Sequence, residues 1–121
     1  MKAANRSFAP DPDEIARARR FVAEELDGRS ATVVDTAVLL VSELATNAVR
    51  HVGSAFTVVV DASRSAVRIS VSDSGSKKPR ARPLDVGSPD GRGLHIVGSL
   101  ASAWGVEPAG TGKTVWFVLA A

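Results

Sequence analysis

Five polar residues share one face of a predicted helix near the middle of the chain. They are Glu43, Thr46, Asn47, Arg50 and His51, and they recur at spacings of three and four residues, which brings side chains together on an α-helix. Glu43, Asn47 and His51 together suggest a metal-ligand set. A zinc protease site, however, needs two histidines one turn apart with a glutamate between them, and the second histidine is missing. Taken alone, this polar face is typical of solvated helix surface.

Two glycine-containing segments flank a long irregular stretch. Asp73 to Gly75 follows a predicted strand, and Gly91 to Leu94 begins a predicted helix. Each alone is ordinary turn or cap chemistry. Together they combine a carboxylate that can accept from an exocyclic amine with a helix N-terminus whose free N–H groups and dipole favour phosphate. The pair is therefore more specific than either segment.

A phosphate-binding P-loop near the end of the chain is excluded. Residues 112–114, Gly-Lys-Thr, match the close of that motif, but the motif needs another glycine five residues before Gly112, where Glu107 stands. The segment 115–119 is an apolar strand pattern, whereas a P-loop continues into a helix. Both spacing and context contradict the P-loop interpretation.

Helical and strand periodicities indicate the elements that position these residues. The order predicted is two helices, an antiparallel hairpin, a long loop, a third helix and two strands, which is an α+β fold with helices on one face of an antiparallel or mixed sheet. Residues 1–9 are predicted as an edge strand or a loose arm. The predicted bounds are Asp11 to Gly28, Ser30 or Thr32 to about His51 with Gly53 closing it, Phe56 to Asp61, Val67 to Ser72, Leu94 to about Ala101, Trp104 to Val106 and Val115 to Leu119.

Composition bounds the class of protein. The chain has 121 residues, 45% of them hydrophobic, which predicts one domain, residues 1–121, with one ordinary core. With no cysteine, disulfides, zinc-thiolate sites and thiol catalysis are excluded. The pI near 9.5 is weak evidence for nucleic-acid binding, because the net charge is only +2. The chain contains no cysteine or tyrosine, so no side chain titrates between histidine and lysine and a small positive charge persists to high pH.

The sequence predicts no membrane or nucleic-acid binding. No apolar run reaches the ~18 residues of a membrane span, and residues 1–10 lack a signal-peptide core. The expectation is therefore a soluble cytoplasmic protein, with no direct nucleic-acid partner.

Four segments in one order resemble the GHKL ATPases, the superfamily of gyrase, histidine kinases and mismatch-repair MutL. They are ELATNAVRH (Glu43 to His51), DSG (Asp73 to Gly75), GRGLHIV (Gly91 to Val97) and GTGKTVWF (Gly110 to Phe117). The resemblance covers nearly the whole chain and is nearest to the small stand-alone branch of anti-sigma-factor serine/threonine kinases. It implies a two-layer α/β sandwich of the Bergerat type, with helices on one face of a mixed, mainly antiparallel sheet.

The resemblance also implies roles for residues on the helix and the strands. Asn47 would bind the Mg²⁺ that bridges the ATP phosphates, and Glu43 would act as base on the attacking hydroxyl or water. Asp73 would accept a hydrogen bond from the adenine amino group. Gly75 would allow close approach there, and Thr114 would lie behind Asp73.

The remaining implied roles belong to the segment between the hairpin and the last strands. Gly91, Gly93 and Leu94 would present backbone N–H groups to the phosphates, Arg92 would add charge, and residues 76–90 would form the ATP lid. One departure from the family pattern is Lys77, which stands where many relatives have a second glycine, and it begins a basic run with Lys78, Arg80 and Arg82. That run is open to three interpretations: a clamp on the triphosphate, a surface for an acidic partner, or a solvated loop.

The function implied is a protein serine/threonine kinase that uses ATP and Mg²⁺. Its substrate would be a small anti-sigma-factor antagonist protein, its second partner a sigma factor, and a homodimer is left open. A histidine-kinase role is disfavoured because no dimerisation helix bears a phosphoacceptor histidine, and His51 and His95 are assigned to packing or solvent. Two alternatives stay open: a nucleotide-responsive module that holds a partner without phosphorylating it, and a domain that binds no nucleotide.

Overall fold

The computed structural model describes residues 2–75 and 97–120 of the chain. In chain order, its helices and strands are β1 (Lys2–Phe8), α1 (Pro12–Glu25), α2 (Ala31–Thr46), a π-helix (Asn47–Val52) that continues α2, β2 (Phe56–Ala62), β3 (Ala66–Asp73), β4 (Ala103–Ala109) and β5 (Gly112–Ala120). Residues 97–100 are also helical. The predicted lid, residues 76–90, lies outside the described residues, as do Gly91, Arg92, Gly93, Leu94, His95 and the basic run that begins at Lys77.

The five strands form one sheet in the order β1-β2-β3-β5-β4. Every described pairing is antiparallel, which confirms the α+β architecture and shows no parallel pair in this part of the chain. β1 is an edge strand and not a loose arm, because it pairs with β2 along its whole length, from Lys2↔Ala62 to Phe8↔Phe56. β4 is longer at both ends than the predicted strand.

Both long helices begin at side-chain caps. The Asp11 carboxylate accepts from the Asp13 backbone N–H at 2.9 Å ahead of Pro12, and the Ser30 hydroxyl accepts from the Val33 N–H at 3.2 Å. Such caps satisfy N–H groups that a helix start leaves without partners. The second helix therefore begins after Ser30, not after Thr32.

The core lies between the two helices and one face of the sheet. Alternate residues of the central strands point inward, as the period-two pattern predicted, and Phe8 stacks on Phe56 with ring centroids 5.1 Å apart. The largest fully buried side chains are Phe56, Phe117, Leu26, Leu40, Ile69, Val22, Val41, Val58, Val67 and Val97.

One helical stretch of the described chain, Ala31–Val52, is long and apolar enough to cross a membrane by length and composition. It has 22 residues and a mean hydropathy of 1.4, which differs from the expectation that no such run exists. Leu40, Val41 and Leu44 within it are buried in the same cluster as the strand residues. The stretch therefore packs as the core helix of this domain, a class of helix that meets the same length and composition test.

Candidate functional site

The polar helix face ends where α2 changes into the π-helix. The Asn47 backbone N–H is shared between the Glu43 and Leu44 carbonyl oxygens, and the Ala48 carbonyl accepts from the Gly53 N–H at 2.7 Å, five residues on. Such wide turns are rare and often lie at functional sites. Glu43 and Asn47 keep the α-helical spacing that places them on one face. Arg50 and His51 lie in the π-helical segment and are exposed, so their place on the predicted face stays a prediction.

Glu43 and Asn47 have polar groups to offer a ligand. Both residues are half-buried, and within residues 2–75 and 97–120 neither side chain has a recorded hydrogen-bond partner. Their neighbour Thr46 differs, because its hydroxyl donates to the Ser42 carbonyl at 2.7 Å. Thr46 is therefore satisfied inside its own helix, while the Glu43 carboxylate and the Asn47 amide make no such bond to the residues that the structure describes.

This donor set fits Mg²⁺ held jointly with phosphates. Mg²⁺ is usually bound through one or two protein oxygens, with water and substrate phosphate completing the shell. The Asn47 amide could supply one such oxygen, and Glu43 lies one turn away. Among the described residues, no group of three or more His, Cys, Asp or Glu side chains is arranged to hold a metal, so a cage made by protein ligands alone is not formed in that part of the chain.

Asp73 is the last residue of β3, and its carboxylate is paired with Lys113 on the neighbouring β5. Lys113 Nζ lies 2.8 Å from Asp73 Oδ2, with 7% of the Asp73 side chain and 25% of the Lys113 side chain exposed. The Lys113 backbone N–H also donates to Asp73 Oδ1 at 3.3 Å. Both contacts follow from the register, since Ser72 pairs with Thr114 one step earlier.

Thr114 lies behind the strand end that carries Asp73. Successive residues of a strand point to opposite faces, so Thr114 and Ser72 share the face away from the helices, where their hydroxyl oxygens are 2.7 Å apart. The side chain beside the Asp73 carboxylate is that of Lys113. The sequence contains Lys113 in the GTGKTVWF segment and in the rejected P-loop match, but the strand register that brings it to the Asp73 carboxylate is not readable from the sequence.

The strand end is held against the turn between β4 and β5. Gly75 is buried with φ +46°, and a Cβ there would lie 2.8 Å from the Gly112 Cα. The Thr111 hydroxyl donates to the Ser74 carbonyl. The group that lies close to Gly75 in this structure is therefore the backbone of Thr111 and Gly112, and the approach of a ligand to Gly75 stays a prediction.

A buried serine ties the strand end to the helix with the polar face. The Ser54 hydroxyl accepts from the Ser74 backbone N–H at 3.1 Å, and Ser54 is 6% exposed. Ser54 follows Gly53, which closes the π-helix in a left-handed conformation with φ +73°. The hydrogen bond thus fixes the segment carrying Asp73 relative to the end of the helix carrying Glu43 and Asn47. No sequence signal marked Ser54.

Gly112→Ala should destabilise the fold and displace the strand end. A Cβ at Gly112 would lie 2.1 Å from the Asp73 carbonyl oxygen and 2.6 Å from Asp73 Oδ1, so backbone must move. Overpacking of this kind costs about 1–3 kcal/mol. Urea unfolding should show that loss, and backbone amide chemical shifts should change at Asp73 and Ser74.

Gly110→Ala, in the same turn, is the matched control. Nothing lies within 4 Å of a Cβ there, but φ is +60°, so the substitution costs about 1–2 kcal/mol of backbone strain alone. Its chemical-shift changes should stay within the turn. An unchanged unfolding midpoint for Gly112→Ala would contradict the close packing of the turn on the strand end.

Comparison with known proteins agrees with this geometry. Residues 8–119 match the family model of the histidine kinase-like ATPase domain. Among solved structures, the chain is similar to the histidine kinase domain of a blue-light activated histidine kinase from Erythrobacter litoralis EL346, at 24% identity and a TM-score of 0.55. The similarity covers 89% of this chain and 59% of that one, so the chain spans about three-fifths of its length, and at this identity the likeness shows the fold alone. No curated protein matches the chain. Because the family model covers all but the two ends of the sequence, the chain belongs to the histidine kinase-like ATPase family of GHKL-type proteins.

Proposed function

We propose that this chain is a cytoplasmic serine/threonine protein kinase that transfers the γ-phosphoryl group of ATP to a small anti-sigma-factor antagonist, and that it also sequesters a sigma factor. Membership of the histidine kinase-like ATPase family supports an ATP-binding regulatory role; the acceptor residue type and the partners are our proposal. The observation that carries it is the pair Glu43 and Asn47, one turn apart, half-buried and without side-chain partners in the described chain.

Phosphoryl transfer needs positioning and charge neutralisation more than covalent chemistry from the protein. Mg²⁺, when bound, neutralises charge on the phosphates. Asn47 would hold it through the amide oxygen, and Asp73 would orient the adenine. Glu43 accepts the proton of the attacking serine or threonine hydroxyl while that oxygen bonds to the γ-phosphorus. The bond from the γ-phosphorus to the bridging oxygen breaks, and ADP leaves with the electron pair.

A transfer screen tests the proposal. The full chain is incubated with Mg²⁺, γ-labelled ATP and each candidate antagonist protein from its own genome, and the product is checked for phosphoserine or phosphothreonine. We expect label on one candidate, and strongly reduced label when Glu43→Ala replaces the wild type. ATP binding with no Glu43-dependent transfer to any candidate would leave a nucleotide-responsive module that holds partners without phosphorylating them.

The partner proposal has its own measurement. The chain should retain a purified sigma factor in a size-exclusion experiment, and the unphosphorylated antagonist should release it. The same experiment reports whether the chain alone elutes as a homodimer. Failure to retain any sigma factor of its genome would contradict the anti-sigma role while leaving the kinase activity to be judged by the transfer screen.

Asp73→Ala should weaken ATP binding roughly ten- to a hundred-fold. A hydrogen bond to a charged group contributes ~1.5–3 kcal/mol, and each 1.4 kcal/mol is about tenfold in affinity. GTP should bind the wild type poorly, because its carbonyl oxygen would face the carboxylate. Isothermal titration measures both affinities.

The matched control for Asp73→Ala is Asp35→Ala, which removes an exposed carboxylate from α2 and should leave ATP affinity unchanged. Thermal unfolding of each variant shows whether it is folded. Equal affinity of the wild type for ATP and GTP would remove Asp73 from base recognition.

A further inference from the structure

The carboxylate proposed to recognise adenine, that of Asp73, is in contact with the side chain of Lys113, which has no role in the proposed function. Lys113 Nζ contacts Asp73 Oδ2 at 2.8 Å, and the strand register, not a flexible loop, places the lysine there. We propose that Lys113 is a second base-reading residue: its ammonium donates a hydrogen bond to N1 of adenine while Asp73 accepts one from the neighbouring 6-amino group. This inference rests on the nucleotide binding proposed above.

The ion pair keeps hydrogen-bonding capacity for a ligand. A lysine ammonium has three donors and a carboxylate about four acceptor sites. Within the described residues, Asp73 receives one bond from Lys113 Nζ and one from the Lys113 backbone N–H. The pair therefore retains two ammonium donors and about two carboxylate lone pairs, so a base can bind both groups without separating them.

Exposure also favours a role for the ammonium in ligand contact. The Asp73 side chain is 7% exposed and the Lys113 side chain 25%. Lysine is a flexible residue whose head group normally stays in water, yet here it is fixed on a mostly buried carboxylate. The result is a donor and an acceptor side by side at the strand end, with the Lys113 side chain the more exposed of the two.

An acceptor at Asp73 beside a donor at Lys113 is complementary to adenine and not to guanine bound in the same orientation. Adenine presents a donor at its 6-amino group and an acceptor at the adjacent N1. Guanine presents an acceptor at O6, which would face the Asp73 carboxylate, and a donor at N1, which would face the Lys113 ammonium. Both guanine contacts would leave buried polar groups unpaired, which is the strongest source of discrimination between similar ligands. Lys113 thus adds a second position at which the two bases are distinguished.

The test combines protein variants with a ligand that lacks the acceptor. Wild type, Lys113→Met and Lys113→Arg are titrated with ADP and with 1-deaza-ADP, in which a C–H group replaces N1. The wild type should bind 1-deaza-ADP about ten- to a hundred-fold more weakly than ADP, the range for a hydrogen bond to a charged group. Lys113→Met should weaken ADP binding by a similar factor and abolish the difference between the ligands. Lys113→Arg, which keeps a donor, should restore part of that difference.

Arg64→Met is the control for charge. Arg64 is exposed in the turn between β2 and β3, at the opposite end of β3 from Asp73, and its loss removes the same positive charge. Arg64→Met should keep the full difference between ADP and 1-deaza-ADP. Thermal unfolding confirms that each variant is folded before titration.

Two results would overturn the inference, and they are distinguishable. If Lys113→Met binds ADP and keeps the wild-type difference between the ligands, Lys113 only neutralises Asp73 and does not read the base, while the proposed function stands. If the wild type binds neither ADP nor ATP, the proposed function fails and Lys113 has no base to read.

Discussion

Glu43→Ala should lower phosphoryl transfer about 10²–10⁴-fold while ATP affinity stays nearly intact. That range is usual for a positioned general base, whose contact with the attacking group develops only during the reaction. Glu43 lies inside α2, where alanine is the most favourable helix residue. The substitution therefore removes the carboxylate without weakening the helix. Single-turnover transfer and equilibrium titration of ATP separate the two quantities.

Glu25→Ala provides the comparison for Glu43→Ala. Glu25 is an exposed glutamate at the end of α1, so its loss changes net charge by the same amount outside the proposed site. It should transfer phosphate at the wild-type rate. If Glu43→Ala and Glu25→Ala behave alike in single-turnover assays, the base is another residue.

The sequence predicted well those features that local chemistry determines. The start of the first helix is readable from Asp11, Pro12 and the acidic residues after them, and the start of the second is limited to Ser30 or Thr32. The β2 and β3 strands are readable from strict alternation. The order of four motif segments indicated the family, and with it a two-layer sandwich with helices on one face of the sheet. The family match over residues 8–119 confirms that assignment.

Features that depend on distant backbone were not predictable. The sequence of residues 47–52 does not distinguish a π-helix from an α-helix. The wide turn depends on residues after this segment, because the Gly53 and Ser54 N–H groups both donate to the Ala48 carbonyl. The partner of Asp73 depends on strand register, and a shift of one residue exchanges the two faces. That is why the sequence gives Lys113 no role, while the structure places it beside the carboxylate.

The register also changes what an experiment on the base site can show. If Asp73 alone recognised the base, one carboxylate would account for any preference for ATP over GTP. With Lys113 beside it, the donor and acceptor act together, so substitutions at the two positions are expected to be non-additive. The fold-loss of ATP affinity in the double variant should therefore be smaller than the product of the fold-losses in the two single variants.

Asn47→Ala should weaken Mg²⁺-dependent ATP binding and abolish transfer together. The amide oxygen is the ligand we assign to the cation, and the half-buried side chain has no other partner in the described chain. Asn47 already has helical backbone angles, φ −61° and ψ −45°, so alanine fits there without strain. Titrations with Mg²⁺ and with EDTA should differ strongly for the wild type and little for Asn47→Ala, and Asn47→Asp, which retains an oxygen ligand, should recover part of the Mg²⁺ effect.

The contrast between Asn47 and Glu43 carries the mechanism, because the two side chains share a helix face and would look alike in a simple activity assay. Loss of the metal ligand lowers binding and transfer, whereas loss of the base lowers transfer alone. Circular dichroism should show the same helix content for both alanine variants. If Glu43→Ala lowers ATP affinity as much as Asn47→Ala at unchanged helix content, Glu43 orders the metal and does not act as the base. The polar face would then be a binding network, and a module that holds its partner without phosphorylating it would be the better account of this chain.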